Sequence, residues 1–168
     1  MKEITISFDK KKRIKILLFG LLIVLACLAM ICAMVIFFEK IIISYFLILI
    51  AITGVGIFMI FDYVKNLLKK DDVGLILNSA GVIFKGTPNG RKIGNVAWND
   101  IEYISVGAVN ISSFVFLKLL NPEKYCTKIS QQFRQNIIDN GVGITNDELY
   151  IEFDEMKDLI VEYFNHYK

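Results

Sequence analysis

The chain has 168 residues, 55% of them hydrophobic, with 19 basic and 17 acidic side chains and a net charge of +2. That length allows one small domain or two pieces, and the apolar content exceeds that of an ordinary globular chain. Residues 1–15 hold Lys2, Lys10, Lys11, Lys12, Arg13 and Lys15 against Glu3 and Asp9, while 141–168 hold seven acids against Lys157 and Lys168, a layout that argues against a nucleic-acid-binding surface.

In chain order, Ile4, Ile6 and Phe8 alternate with Thr5 and Ser7, the period of a half-buried strand. A basic cluster follows, and then two long apolar runs. Residues 16–38 and 41–61 carry no charge, and Glu39 and Lys40 stand between them. At about 1.5 Å per residue each run makes a helix of about 31 to 35 Å, enough to cross a hydrocarbon core of roughly 30 Å. The first run is too long for a signal peptide, and a second follows at once. The expected hairpin covers 14–64, with helices at 14–38 and 41–64. Cations flank both outer ends (Lys10 to Lys15; Lys65, Lys69, Lys70), whereas the turn offers only Lys40, so both termini are expected in the cytoplasm. Ala26, Ala29 and Ala33, with Ala51, Gly54 and Gly56, are the small residues expected to let the helices touch. Neither uncharged run, 16–38 or 41–61, contains an acid, base or amide, which argues for an anchor rather than a channel.

Residues 65–72 read as a linker and 73–168 as a second, β-rich piece. Strands are expected at 75–77, 82–84, 91–97, 102–109 and 112–120, with Gly86 to Gly90 as a loop and Gly94 as a bulge. Asn121-Pro122 starts a helix to about Asp139 with a thin apolar face of Tyr125, Ile129, Phe133 and Ile137. A sixth strand is expected at 149–153. Asp154 then caps a final helix whose Met156, Leu159, Ile160, Tyr163, Phe164 and Tyr167 form one core-facing stripe.

Hairpin-connected strands closed by an amphipathic helix fit a pleckstrin-homology-like (PH-like) split barrel. Through GLILNSAGVIF at 74–84, VAWNDIEYI at 96–104, LLNPEKY at 119–125 and GITNDELYIEFDEMKDLI at 143–160, the chain resembles a group of small bacterial membrane proteins with a two-helix hairpin and a PH-like domain. The resemblance covers most of the chain and implies a location in the bacterial inner membrane, with no chemistry attached. The expected fold is thus membrane-anchored α+β: a two-helix transmembrane hairpin plus a PH-like antiparallel split barrel, with a C-terminal capping helix and an extra helix before the last strand. One strand is then lacking from the second piece, and the arm within residues 1–13 is expected to supply it.

No catalytic, cofactor-binding or metal-ligating residue is expected, so the chain is read as non-enzymatic. His166 stands near the end of the last helix without a general-base partner. Cys27 and Cys32 fall on different helix faces, and Cys126 lies far away, so neither a disulfide nor a metal site is expected. The acid pairs lack the alternating spacing of a calcium loop. Trp98 is expected in the core or at a strand edge. Phosphoinositide binding would need cations in the first hairpin loop, which reads Asn78-Ser79-Ala80. The expected function is a membrane-anchored interaction module on the cytoplasmic face, with the lipid bilayer and a protein or peptide as partners. Strand addition to an open sheet edge is one mode. The alternatives are an immunity protein against an envelope-directed toxin and an accessory subunit of a membrane complex.

Overall fold

A computed structural model describes residues 1–37, 43–67, 72–109 and 112–168. The chain divides into two compact units, Lys10–Asp71 and a second made of Met1–Asp9 with Asp72–Lys168. The fold is α+β, with two long apolar helices on the N-terminal side and antiparallel sheets after them.

The helical unit contains α1 (Lys10–Phe37) and α2 (Ile43–Leu67). The expected Glu39-Lys40 turn and part of the linker lie outside the described residues. Helix α1 starts within the basic cluster, four residues before the expected boundary. Both helices are long and apolar enough to cross a membrane, and only 11% and 6% of their apolar stretches are buried. The residues shielded from solvent form one seam. Leu17, Gly20, Val24 and Cys27 on α1 meet Thr53, Gly56, Ile60 and Tyr63 on α2, at alternating spacings of three and four. A Cβ on Gly56 would come within 2.7 Å of Val24, and one on Gly20 within 3.8 Å of Ile60, so the helices run antiparallel. Of the six small residues expected in this contact, Gly56 occupies it and Ala33 is half-buried. Ala26, Ala29 and Ala51 are exposed, and Gly54 has nothing within 4 Å of its missing Cβ. The heptad phase places those residues off the seam.

The second unit opens with β1 (Ile4–Ser7), and the chain returns to it after α2 with β2 (Val73–Asn78). These two strands pair antiparallel, Ile4 opposite Leu77 and Ile6 opposite Leu75. The helical hairpin is therefore an insertion between two neighbouring strands of one sheet. Strands β3 (Gly81–Phe84) and β4 (Asn95–Val96) complete the order β1-β2-β3-β4. A second sheet has the order β5-β6-β7, from β5 (Ile101–Val109), β6 (Ser112–Leu119) and β7 (Val142–Ile144). Among the described residues the two sheets do not close into a barrel.

Three departures from the sequence expectation have local causes. The strand expected at 91–97 is kept only as β4 (Asn95–Val96), because Arg91 to Ile93 end a short helix, α3 (Pro88–Ile93). Thr87 caps it, its hydroxyl accepting the Gly90 N–H at 3.0 Å, and Pro88 takes the first helical position, where its fixed φ and missing N–H cost nothing. Gly94, at φ 73°, ends that helix rather than forming a bulge, a conformation that glycine adopts without strain.

The single helix expected at 121–139 is two, α4 (Pro122–Tyr125) and α5 (Gln131–Asn140). The break lets the consecutive Tyr125 and Cys126 both bury, which one straight helix lying on the surface would not allow. Phe133 is left outside, at 48% exposure.

The strand expected at 149–153 is a turn. Only Leu149 bridges to Phe8, while Asp9 N–H bonds the Glu148 carbonyl at 2.8 Å and Tyr150 N–H the Ser7 carbonyl at 3.0 Å. The last strand is instead β7, Val142-Gly143-Ile144. A glycine before it and one at its centre conceal a strand pattern. Gly141 has φ 87° and packs on the Leu117 carbonyl, and a Cβ on Gly143 would press at 3.2 Å on Phe114 and Phe116.

The final helix α6 (Phe153–Tyr167) starts two residues earlier than expected, with Glu152 rather than Asp154 at the cap position. Asp154 and Glu155 sit in its first turn, where acids favour the positive end of the helix dipole. Met156, Ile160 and Tyr163 are fully buried among Leu75, Leu77, Ile101, Leu117 and Trp98, with Leu159, Phe164 and Tyr167 around them. At about 25 cal/mol per Å² of apolar surface, this stripe is a major part of the core.

Candidate functional site

Groups that carry chemistry are few and mostly used in packing. Among the described residues no three His, Cys, Asp or Glu side chains converge as a metal site. His166 is exposed, its ring edge-on to Tyr167 at 4.6 Å. Cys126 is buried and burial pushes its thiol pKa up, the opposite of what a nucleophile needs. Trp98 is 2% exposed, and its indole N–H donates to the Asn78 carbonyl at 2.7 Å, which leaves no face for a ligand.

The densest polar cluster joins α4 to the start of β5. The Asp100 carboxylate accepts from Lys124 Nζ at 2.6 Å and from the Tyr125 hydroxyl, while Tyr125 accepts the Ala97 N–H at 3.2 Å. The bonds from Lys124 and Tyr125 hold the Asp100 carboxyl below its ordinary 3.8. Burial, then the bond to Asp100, holds the Tyr125 phenol above its usual range, and the carboxylate raises Lys124. Asp100 thus joins Lys124 and Tyr125, and through Tyr125 the Ala97 N–H, in one clip.

A pH dependence follows from the sign of that shift. Asp100 is more acidic folded than unfolded, so its contribution is complete above 3.8 and is lost as pH falls below it. Asp100→Asn should therefore flatten the loss of stability on acidification below about pH 4. Acid unfolding followed by Trp98 fluorescence checks this, and superimposable curves for the two proteins would refute it.

The sequence marked no residue of the sheet surface as a site, and the surface feature that stands out is β5. It has β6 on one side and, among the described residues, no strand on the other. At its beginning Lys168 Nζ takes the Glu102 carbonyl at 2.5 Å. From Tyr103 to Val109 the edge carries no charged residue and no proline, and Tyr103, Val106 and Val109 are each at least half exposed. Natural edges are blunted by lysine, proline or a covering segment, because unpaired N–H and C=O groups invite another strand. This edge has none of those devices over seven residues.

The register places Tyr103, Ser105 and Gly107 opposite Lys118, Phe116 and Phe114, on the side of the sheet away from the core. There Phe114 and Phe116 stack at 5.6 Å across Gly107 and Gly143, whose missing side chains let the rings lie against the sheet. The edge thus adjoins a flat aromatic face. The signal in the sequence was the length of the Tyr103–Val109 run without charge or proline, read there only as part of a strand.

No protein-family model, curated protein or solved structure matches the chain. The reading of function therefore rests on geometry and chemistry alone.

Proposed function

We propose that the protein is a membrane-anchored, non-catalytic interaction module whose PH-like domain faces the cytoplasm and binds an extended peptide by adding it to β5. The open edge of β5 carries this reading. An incoming strand would satisfy the backbone groups of Tyr103 to Val109 and cover Val106 and Val109, with Tyr103 and the Phe114–Phe116 pair as a platform for its side chains. The PH-like assignment is supported by four strands and three strands in two sheets, followed by a helix that plugs the core.

Anchoring is supported by the pattern of exposure. A core helix of a soluble protein is mostly buried, whereas Phe19, Leu22, Ile36, Phe58 and Phe61 all stand at least 63% exposed. So much apolar surface is stable in lipid and not in water. The strand β1 precedes α1 and belongs to the folded unit, which favours an anchor over a cleaved leader. The basic flanks at Lys10–Lys15 and Lys65 favour a cytoplasmic location for both ends.

The test is a peptide-library selection against the full chain in lipid nanodiscs. Selected peptides should lose roughly tenfold in affinity, about 1.4 kcal/mol, on Val106→Lys or Ser105→Pro. They should be indifferent to Phe133→Lys on the exposed side of α5. A library that yields no binder, or binders unaffected by both edge variants, would contradict strand addition.

A further inference from the structure

Three large apolar side chains of the β5 edge stand in solvent, Tyr103 at 50%, Val106 at 55% and Val109 at 50% exposure. Tyr103 and Val109 share the face away from the core, and Val106 lies on the other face, opposite the buried Val115. Their spacing is even about Val106. A strand of the same sequence, laid antiparallel with Val106 opposite Val106, therefore brings Tyr103 opposite Val109 at both ends. Directly opposite residues of an antiparallel pair project to the same face, so each exposed side chain meets another on its own side of the sheet.

The remaining pairs also fit. Ile104 falls opposite Ala108 and Ser105 opposite Gly107, a larger side chain beside a smaller one each time. No charged residue stands between Tyr103 and Val109, so no like charges meet. A slip of one residue would set the core-facing side of one copy beside the outer face of the other. Re-centring on Ser105 would carry Val109 past the Glu102 carbonyl, which the Lys168 amine already holds.

Resting on the open β5 edge that carries the reading above, we infer that without a peptide β5 pairs with β5 of a second copy, about a two-fold axis at Val106. Such a pairing uses the same patch on both copies and closes as a dimer. The sheet then runs β7-β6-β5-β5-β6-β7 across the two chains. A peptide that adds to β5 must displace the second copy, so peptide binding and dimerisation oppose each other.

Disulfide trapping in membranes that carry the full chain tests this. Opposite Cα atoms of an antiparallel pair lie about 4.5 to 5.5 Å apart, within the span of a disulfide. On mild oxidation Val106→Cys should cross-link to itself well above the parent, whose own Cys27, Cys32 and Cys126 give the background. Ile104→Cys and Ala108→Cys should each stay at background alone and cross-link to one another when coexpressed. Val109→Lys, added to Val106→Cys, should return the cross-link to background without changing Trp98 emission. A Val106→Cys yield no greater than the parent's, or equal yields from all three single cysteines, overturns the dimer. Selected peptides that bind an edge which does not cross-link would remove the dimer alone. A cross-link at Val106 with no peptide selected would remove the peptide ligand alone, and a peptide that binds without lowering the cross-link would overturn their competition.

Discussion

Removing residues 2–8 should abolish the protease resistance and cooperative unfolding of the β-rich unit, although nearly all of that unit lies more than sixty residues later. Ile6 and Phe8 are 8% exposed and belong to the same core as Leu75 and Leu149. A Cβ on Gly74 would come within 2.3 Å of Leu149 and 3.0 Å of Phe8, so the arm fits a notch shaped for it. β1 and β2 pair antiparallel with a register shift between Ile6 and Ser7, and beyond it Phe8 N–H donates to the Asp72 carbonyl at 2.7 Å. Truncating one buried Ile or Phe costs about 2 to 5 kcal/mol, and a small domain has only about 5 to 15 kcal/mol in all. Losing both, together with the strand that shields the edge of β2, should exhaust that margin. Limited proteolysis of the full chain and its truncated form reads this directly. Equal resistance would show that the arm is an appendage.

Tyr163→Ala should be the most damaging single substitution in α6, at about 3 to 5 kcal/mol. The side chain has no exposed surface, and its ring lies 6.1 Å from Trp98 and 6.0 Å from Tyr167. Its hydroxyl donates to the Lys2 carbonyl, so one residue ties the last helix to the arm just before the first strand. Burial raises the phenol pKa, as expected for a group held neutral within the core. Tyr163→Phe keeps the ring and removes only that bond, for about 0.5 to 1.5 kcal/mol. Because Trp98 is the single tryptophan and is buried, denaturant titrations followed by its fluorescence report on this unit alone. If Tyr163→Ala cost no more than Tyr163→Phe, the ring would not be the keystone the packing makes it.

The sequence made the membrane-length helices legible because 23 and 21 uncharged residues in succession admit few other readings. The α6 stripe was equally plain, since six apolar positions keep one helical phase. The arm strand was legible from five alternating residues, and its partner was inferred from the shortage of strands in the later piece. Legibility failed where one short signal concealed another. Gly86 to Gly90 read as a loop, but Thr87-Pro88 within it was the stronger signal, a helix start. Gly141 before β7 and Gly143 within it hide that strand: a Cβ on Gly141 would meet the Leu117 carbonyl at 2.4 Å, and one on Gly143 would press on the two phenylalanines at 3.2 Å. The small-residue face of the hairpin was misplaced for a different reason. Alanine spacing was read without the heptad phase, which Leu17, Val24, Thr53 and Ile60 set. The β5 edge was invisible as a site because openness depends on which strands lie beside it, and that is a property of topology.

The central claim is that one domain, begun by β1 and resumed by β2, carries the hairpin as an insertion. The most direct measurement deletes residues 10–71 and joins Asp9 to Asp72 through a short Gly-Ser linker, across a gap where Phe8 N–H already bonds Asp72. The expected product is water-soluble without detergent and unfolds cooperatively with buried Trp98 emission, while residues 72–168 alone aggregate. A joined chain that aggregates like the fragment, or a fragment that folds as well as the joined chain, would contradict the account.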